Sequence, residues 1–165
     1  MSWPRFFIAL LAVFLVQTTL ARLVPGAGLD LFLALALFVA LTMPAADGRI
    51  AACLAGYLQS IGSDGPLGLH ALSLGGAAWA ATVMRAQLNT RSLFPRFTVA
   101  VLAAVVGQLV LRVTQTLILG HAAASFGAWL QSIVVSSLVA AFLAALLAGG
   151  RPFARVVRRD YARRI

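Results

Sequence analysis

Long runs of apolar residues, separated by short polar segments, occupy almost the whole of this 165-residue chain. A helix needs about 20 predominantly apolar residues to cross a bilayer, and several of the runs reach or approach that length. The pattern predicts six transmembrane helices within one domain at 1–150, followed by a basic tail at 151–165. The six predicted spans are 6–21, 29–43, 50–62, 67–84, 97–119 and 126–148.

Two of these predictions leave alternatives open. The second and third runs are short, so they either cross the bilayer separately or form a fused or re-entrant pair. The first run, with its basic start and the sequence Thr19-Leu20-Ala21, has the outline of a signal peptide. Because further apolar runs follow it without a soluble domain, we expect an uncleaved first helix.

A break in the apolar pattern separates the third and fourth runs. It contains Asp64, Gly65, Pro66 and Gly68, and His70 follows soon after it. A helix cannot run through this segment, because proline lacks an amide hydrogen and glycine readily adopts positive φ. The sequence predicts a tight corner between two antiparallel helices here.

Composition agrees with a chain that is surrounded by lipid. It is 62% hydrophobic and only 10% charged, which is too little charge for the surface of a soluble domain. We therefore expect an all-α integral membrane protein. A net charge of +9 would suggest nucleic acid for a soluble protein, but here membrane anchoring explains it, and we expect no nucleic-acid partner.

The arginines predict the orientation of the chain. If the N-terminus is cytoplasmic, eleven of the 13 basic residues lie on the inner side, Arg22 lies outside and Arg112 lies within a span. Cytoplasmic loops carry the excess of arginine in membrane proteins. Both termini are therefore expected in the cytoplasm.

Small residues recur at four-residue spacing in two of the predicted spans. Such rows let helix backbones approach closely in a membrane, so they predict helix-packing faces. In the third span the row is Gly48, Ala52, Gly56 and Ser60, and in the sixth it is Ala128, Ser132, Ser136, Ala140 and Ala144. The rows do not say whether the neighbour is another span or another protein.

Polar residues gather in the outer half of the predicted bundle. Arg112 shares one helix face with Gln108 and Gln115, and a charge at that depth is costly unless it is paired or reaches the interface. We predict an outward-facing polar crevice or partner contact, with Asp30 or Asp64 as the counter-charge of Arg112. The alternatives are that Arg112 reaches the lipid headgroups and that His70 only packs between helices. The candidate residues are Asp30, Gln59, Asp64, Gly65, Pro66, Gly68, His70, Gln108, Arg112 and Gln115.

The tail combines apolar and basic residues. Phe153, Val156, Val157 and Tyr161 fall on one helical stripe, which predicts either an amphipathic helix on the anionic inner leaflet or a disordered tail. Its lipid-facing arginines are Arg151, Arg155, Arg158, Arg159, Arg163 and Arg164.

Motifs of catalysis and metal binding are missing from the sequence. It has no HExxH, no glycine-rich phosphate loop and no pair of carboxylates on one helix, and its only cysteine, Cys53, cannot form an internal disulfide. We expect a protein that is not an enzyme and that has no metal or cofactor.

The segment from Leu29 to Leu72 resembles the MreD family of bacterial rod shape-determining proteins. The family opens its second span with Pro/Leu-Asp-Leu, continues with Gly-Tyr/Phe-Leu running into Asp, and ends in a Gly-x-Leu-Gly-x-x-Ala turn. The matching residues are Leu29-Asp30-Leu31, Gly56-Tyr57-Leu58, Asp64, Gly65-Pro66-Leu67-Gly68 and Ala71-Leu72. The six-span layout and the basic C-terminus are similar as well.

This resemblance implies a non-catalytic subunit of the cell-elongation complex in the bacterial inner membrane. Its partners would be membrane lipid, a bitopic MreC-like protein, the actin-like MreB, and the RodA glycosyltransferase with its transpeptidase. The family is also similar to the substrate-binding subunits of energy-coupling-factor transporters, so that fold is expected. The alternative function is a small-molecule or lipid-binding transporter subunit with an outward-facing polar pocket.

Overall fold

A computed structural model of the protein describes residues 1–23, 30–63, 66–88, 92–119 and 126–148. These residues form six α-helices and no strand, so the chain is all-helical over its described part. The helices are α1 Trp3–Leu23, α2 Leu31–Thr42, α3 Ala45–Ile61, α4 Leu69–Gln87, α5 Leu93–Leu119 and α6 Phe126–Ala148.

Helix α2 is the centre of the bundle. It packs against each of the other five helices, and its residues from Phe32 to Leu37 and from Val39 to Thr42 are buried. Its one polar side chain, Thr42, donates its hydroxyl hydrogen to the Phe38 carbonyl at 2.7 Å. A helix that is apolar on all sides needs neighbours all round. With 12 residues, α2 is about 18 Å long, which is shorter than the roughly 30 Å of a bilayer's hydrocarbon core.

Small side chains fill the contacts around α2, and large apolar side chains face outward. Alanines account for most of the buried residues of α3 to α6, among them Ala52, Ala77 and Ala144. By contrast, Ile8 is 70% exposed and Leu117 is 79% exposed. Small residues at the contacts allow close helix approach, and this arrangement is the reverse of that in a soluble domain.

By length and composition, two helices of the described part could cross a membrane. They are Trp3–Leu20, within α1, and Leu93–Ile118, within α5. Two shorter apolar helices, Leu31–Thr42 and Ile133–Ala148, accompany them.

The residues between the second and third predicted spans, 44–49, are mostly helical, because α3 already begins at Ala45. Met43 is extended, with φ −97° and ψ 164°, as the residue before a proline tends to be, and this ends α2. Pro44 then precedes α3, whose first turn contains Asp47, a favourable position for an acid in the helix dipole. The second and third segments are therefore separate helices joined by a two-residue corner.

The boundaries of α4 and α5 also differ from the prediction. Helix α4 starts at Leu69 because Gly68 adopts a left-handed conformation with φ 92°. It continues to Gln87, and α5 starts at Leu93 with Pro95 in its first turn, where a missing amide hydrogen costs nothing. Residues 85–87 and 93–96, which lie between the fourth and fifth predicted spans, are thus helical. Helix α6 covers the same residues, Phe126–Ala148, as the sixth predicted span.

Candidate functional site

Polar side chains close the N-terminal end of α2. The first backbone N–H groups of a helix have no partner within it and need one from outside, above all when the helix is buried. Asp30 Oδ1 accepts from the Leu33 N–H at 3.0 Å, and Gln17 Oε1 accepts from the Leu31 N–H at 3.1 Å. The side-chain amide of Gln59 donates to the same Asp30 oxygen at 3.3 Å. We refer to Gln17, Asp30 and Gln59 as the Asp30 cap.

His70 and Ser60 lie beside this cap, at the junction of α2, α3 and α4. The His70 N–H donates to Ser60 Oγ at 3.3 Å, and Ser60 donates its hydroxyl hydrogen to the Gly56 carbonyl at 3.0 Å. The His70 imidazole is near enough to the Asp30 carboxylate to interact with it electrostatically. The structure thus brings together three candidates of the predicted crevice, Asp30, Gln59 and His70, with Ser60 of the small-residue row beside them. The buried Gln59 Oε1 has no hydrogen-bond partner among the described residues.

Glycine lets α3 and α4 touch backbone to backbone at this junction. A Cβ added at Gly56 would lie 2.6 Å from Ala71 Cα and would also clash with the His70 carbonyl. Near the start of α3, a Cβ at Gly48 would lie 3.2 Å from Ala40 Cα of α2. Ala52 and Ser60, the other members of the small-residue row, are buried too. This row packs within the chain, on α2 and α4.

The row on α6 also faces the bundle where it is described. Ser136, Ala140 and Ala144 are buried, and α6 packs against α5 and α2. The side chains of Ala128 and Ser132 lie outside the described part.

The fifth-helix face stands apart from the Asp30 cap. Gln108, Arg112 and Gln115 are each partly exposed, and within the described residues the Arg112 guanidinium makes no hydrogen bond or ion pair. The Asp30 carboxylate instead binds the Leu33 N–H and Gln59. The second predicted counter-charge, Asp64, and its neighbour Gly65 lie outside the described residues, as do the tail residues 151–165.

Arginines bind the opposite ends of the helices, a role that the sequence reasoning missed. Arg85 Nη1 donates to the Leu41 and Met43 carbonyls, at 2.9 and 3.0 Å, and so closes the C-terminal end of α2. Arg96, only 9% exposed, donates to the Ala148 carbonyl at the end of α6, at 3.2 Å. Cations stabilise helix C-termini, where carbonyls lack partners. The signal in the sequence was the position of these arginines: Arg85 lies in the last turn of α4 and Arg96 near the start of α5, on the side of the bundle where α2 and α6 end.

An apolar groove runs along the outer side of α3 and α4. Two adjoining cavities of about 360 and 410 Å³ form it, and both are lined by Cys53 and Ala71. One extends to Gly68 at the α3–α4 corner, where Thr114 and Ile118 of α5 also line it, and the other extends to Arg49. We refer to this surface as the α3–α4 groove.

Comparison with known proteins gives no match: no protein-family model, no curated protein and no solved structure is significantly similar to the chain. The resemblance to MreD proteins rests on the motif residues and the layout of the helices. Within the described residues, no three side chains of His, Cys or Asp come together as a metal site would require.

Proposed function

We propose that the chain is a non-catalytic subunit of the cell-elongation complex, with the architecture of MreD proteins. It spans the bacterial inner membrane six times, with both termini in the cytoplasm. It holds a bitopic MreC-like partner and supports side-wall peptidoglycan synthesis by the RodA and transpeptidase complex.

The distribution of side chains supports the membrane location. Outward-facing residues such as Phe94, at 77% exposure, and Ile8 would carry a large hydrophobic cost in water, and lipid removes that cost. Helix α4, with 19 residues, is about 28 Å long and can cross the hydrocarbon core together with α1 and α5. The short α2 then lies entirely inside the bundle, with its ends capped by protein, as backbone groups at membrane depth require.

The two ends of the bundle differ in charge, and this difference supports the orientation. Arg49, Arg85 and Arg96 bind at the end where α2 and α6 finish. Asp30 and His70 lie at the opposite end, where α2 and α4 begin. With the arginine-rich end in the cytoplasm, the chain follows the positive-inside rule.

One observation carries the link to MreD proteins: the residues of the resemblance converge on a single junction. Asp30 caps α2 and binds Gln59, Gly56 allows the contact with Ala71, and Gly68 begins α4 in a left-handed conformation. A short motif of common membrane residues therefore has a coherent structural role. The motif holds the central helix α2 and the two helices of the α3–α4 groove in one arrangement.

The test is capture of partners from the native membrane. The tagged full-length chain, extracted from its own host in mild detergent, should retain a single-span protein with an extracytoplasmic coiled coil. A different polytopic protein of that host, with the same tag and a similar expression level, should not retain it. Recovery of an ATPase module instead would contradict the proposal.

A solute-binding function is the second candidate, and the Gln59 Oε1 atom favours it. This buried acceptor, beside Asp30 and His70 at the outward end of the bundle, lacks a partner within the part of the chain that the structure describes. A ligand that binds only the folded state raises the free energy of unfolding by an amount that grows with the logarithm of ligand concentration over Kd. A solute that raises the unfolding temperature of the wild type, but not of Gln59→Leu, would establish this alternative.

A further inference from the structure

We propose that the α3–α4 groove seats the single transmembrane helix of the partner. This inference rests on the proposed function and names the surface that performs it. The occupant is a membrane-spanning helix with a stripe of small residues, a hydrogen-bond acceptor near mid-membrane and a carboxylate near its cytoplasmic end.

The shape of the groove suits a helix. Cys53, Ala71 and Gly75 form a floor of small residues, and a Cβ added at Gly75 would lie 2.7 Å from the Cys53 sulfur. Tyr57 of α3 lines the groove, and Trp79 of α4 follows Gly75 by four residues and so shares its helix face. These two side chains, 51% and 57% exposed, are referred to as the walls of the groove. A floor of small side chains between large ones can accept the side-chain ridge of another helix. Such close contact is what helix packing in membranes depends on.

Two polar groups on this apolar surface lack hydrogen-bond partners, and lipid cannot supply them. Within the described residues, neither the Tyr57 hydroxyl nor the Trp79 indole N–H makes a hydrogen bond. Trp79 lies about 15 Å along α4 from Leu69, close to the middle of the helix. Acyl chains offer no acceptor, and an unpaired donor in hydrocarbon is costly. A partner helix can offer a hydroxyl or a carbonyl exposed by a small residue.

The charge of Arg49 specifies which side chain the partner helix should carry at its cytoplasmic end. Arg49 lines the groove at the end assigned to the cytoplasm, and its Nε donates to Thr82 Oγ1 at 2.9 Å. No carboxylate of the described residues forms an ion pair with it. The other described aspartate besides Asp30 is Asp47, in the first turn of α3. An acidic side chain at the cytoplasmic end of the partner helix would pair with this guanidinium.

Cys53 provides a direct test, because it is the only cysteine of the chain and it is exposed in the groove. The full chain is produced with the captured single-span partner, which carries one cysteine at each successive position of its transmembrane helix. Mild oxidation in native membranes should crosslink Cys53 to partner positions that recur every three or four residues. With Cys53→Ser and Ile8→Cys, which moves the thiol to the exposed face of α1, these crosslinks should disappear.

Substitution of the two wall residues provides a second test, which measures the amount of captured partner. Tyr57 and Trp79 are exposed, so Tyr57→Ala and Trp79→Ala should leave the chain folded, and each should reduce captured partner about tenfold or more, as loss of an aromatic anchor does. Phe142→Ala and Leu146→Ala remove exposed side chains from α6, outside the groove, and should leave capture unchanged.

The two proposals fail in different ways. If the wild-type chain retains no single-span protein, the proposed function itself fails. If it retains one, but Cys53 gives no periodic crosslinks and both wall variants capture it normally, the groove is not the seat. Crosslinks between two copies of this chain through Cys53, in place of partner crosslinks, would overturn the inference as well.

Discussion

The Arg85 guanidinium donates a hydrogen bond to the Leu41 carbonyl at 2.9 Å, so a charged residue of α4 closes one end of the buried helix α2. Asp30 closes the other end by accepting from the Leu33 N–H at 3.0 Å. A helix of about 18 Å cannot reach the aqueous phase at both faces of a bilayer. In the proposed membrane location, side chains of the bundle therefore supply the partners that water would otherwise supply.

Removing the charge at the C-terminal end of α2 should destabilise the whole bundle. Arg85→Met leaves the buried Leu41 and Met43 carbonyls without this donor, which should lower the free energy of unfolding by about 1–3 kcal/mol. Thermal unfolding in detergent measures the change. Arg5→Met, at an exposed position, should change it by less than about 0.5 kcal/mol, and equal effects of the two would contradict the capping role.

At the N-terminal end, the acceptor oxygen matters more than the negative charge. Asp30→Ala should cost about 1 kcal/mol, whereas Asp30→Asn should retain most of the stability because asparagine also caps helices. Chemical unfolding of both variants in detergent separates the two contributions. A loss in Asp30→Asn as large as that in Asp30→Ala would show that the charge is what counts.

Double-mutant cycles identify the partner of Asp30. Asp30→Ala and Gln59→Leu should be non-additive, because the two side chains share a hydrogen bond. Asp30→Ala and Arg112→Leu should add to within about 0.5 kcal/mol. Strong coupling of Asp30 with Arg112 would restore the ion pair that the sequence analysis had considered.

The contact between α3 and α4 requires glycine at position 56. Gly56→Ala places a methyl group against the backbone of His70 and Ala71, so stability should fall by about 1–3 kcal/mol. The matched control is Gly76→Ala in α4, whose added Cβ meets Val110 Cγ2 at an ordinary 3.6 Å. This control should be neutral or gain up to about 1 kcal/mol from helix propensity. The same loss in both variants would contradict close packing at Gly56.

Orientation can be tested with an impermeant thiol reagent on intact cells, in a Cys53→Ser background. Gly28→Cys, Gly65→Cys and Ala123→Cys should react from outside. Asn89→Cys and Ala162→Cys should react only after the membrane is opened. Labelling of the Asn89 variant in intact cells would reverse the assignment of the arginine-rich end.

For the described residues, the sequence was enough to predict the number and order of the helices, because apolar runs and proline-glycine breaks are local signals. The exact corner between α2 and α3 was not predicted, since the apolar pattern placed the start of the third span at 50, whereas Pro44 makes the break and α3 begins at Ala45. Whether a polar residue near a boundary begins a helix or lies outside it depends on what packs beside it.

The roles of the polar residues were harder to predict. Asp30, Gln59 and His70 were expected together, because alternating helices bring those chain positions to one end of the bundle. That Asp30 serves backbone N–H groups, and that Arg85 and Arg96 bind helix ends, could not be predicted. These contacts depend on the length of α2 relative to its neighbours and on the depth of each helix end, which hydropathy does not encode.

Under the proposed function the host grows as rods, and depletion of the chain in that host tests the central claim most directly. Cells that lose the protein should become round over a few generations while septa still form. The wild-type chain should restore rods, and the capture-deficient Trp79→Ala chain, present in the membrane at the same level, should not. Cells that stay rod-shaped after depletion confirmed by immunoblot would contradict a role in cell elongation.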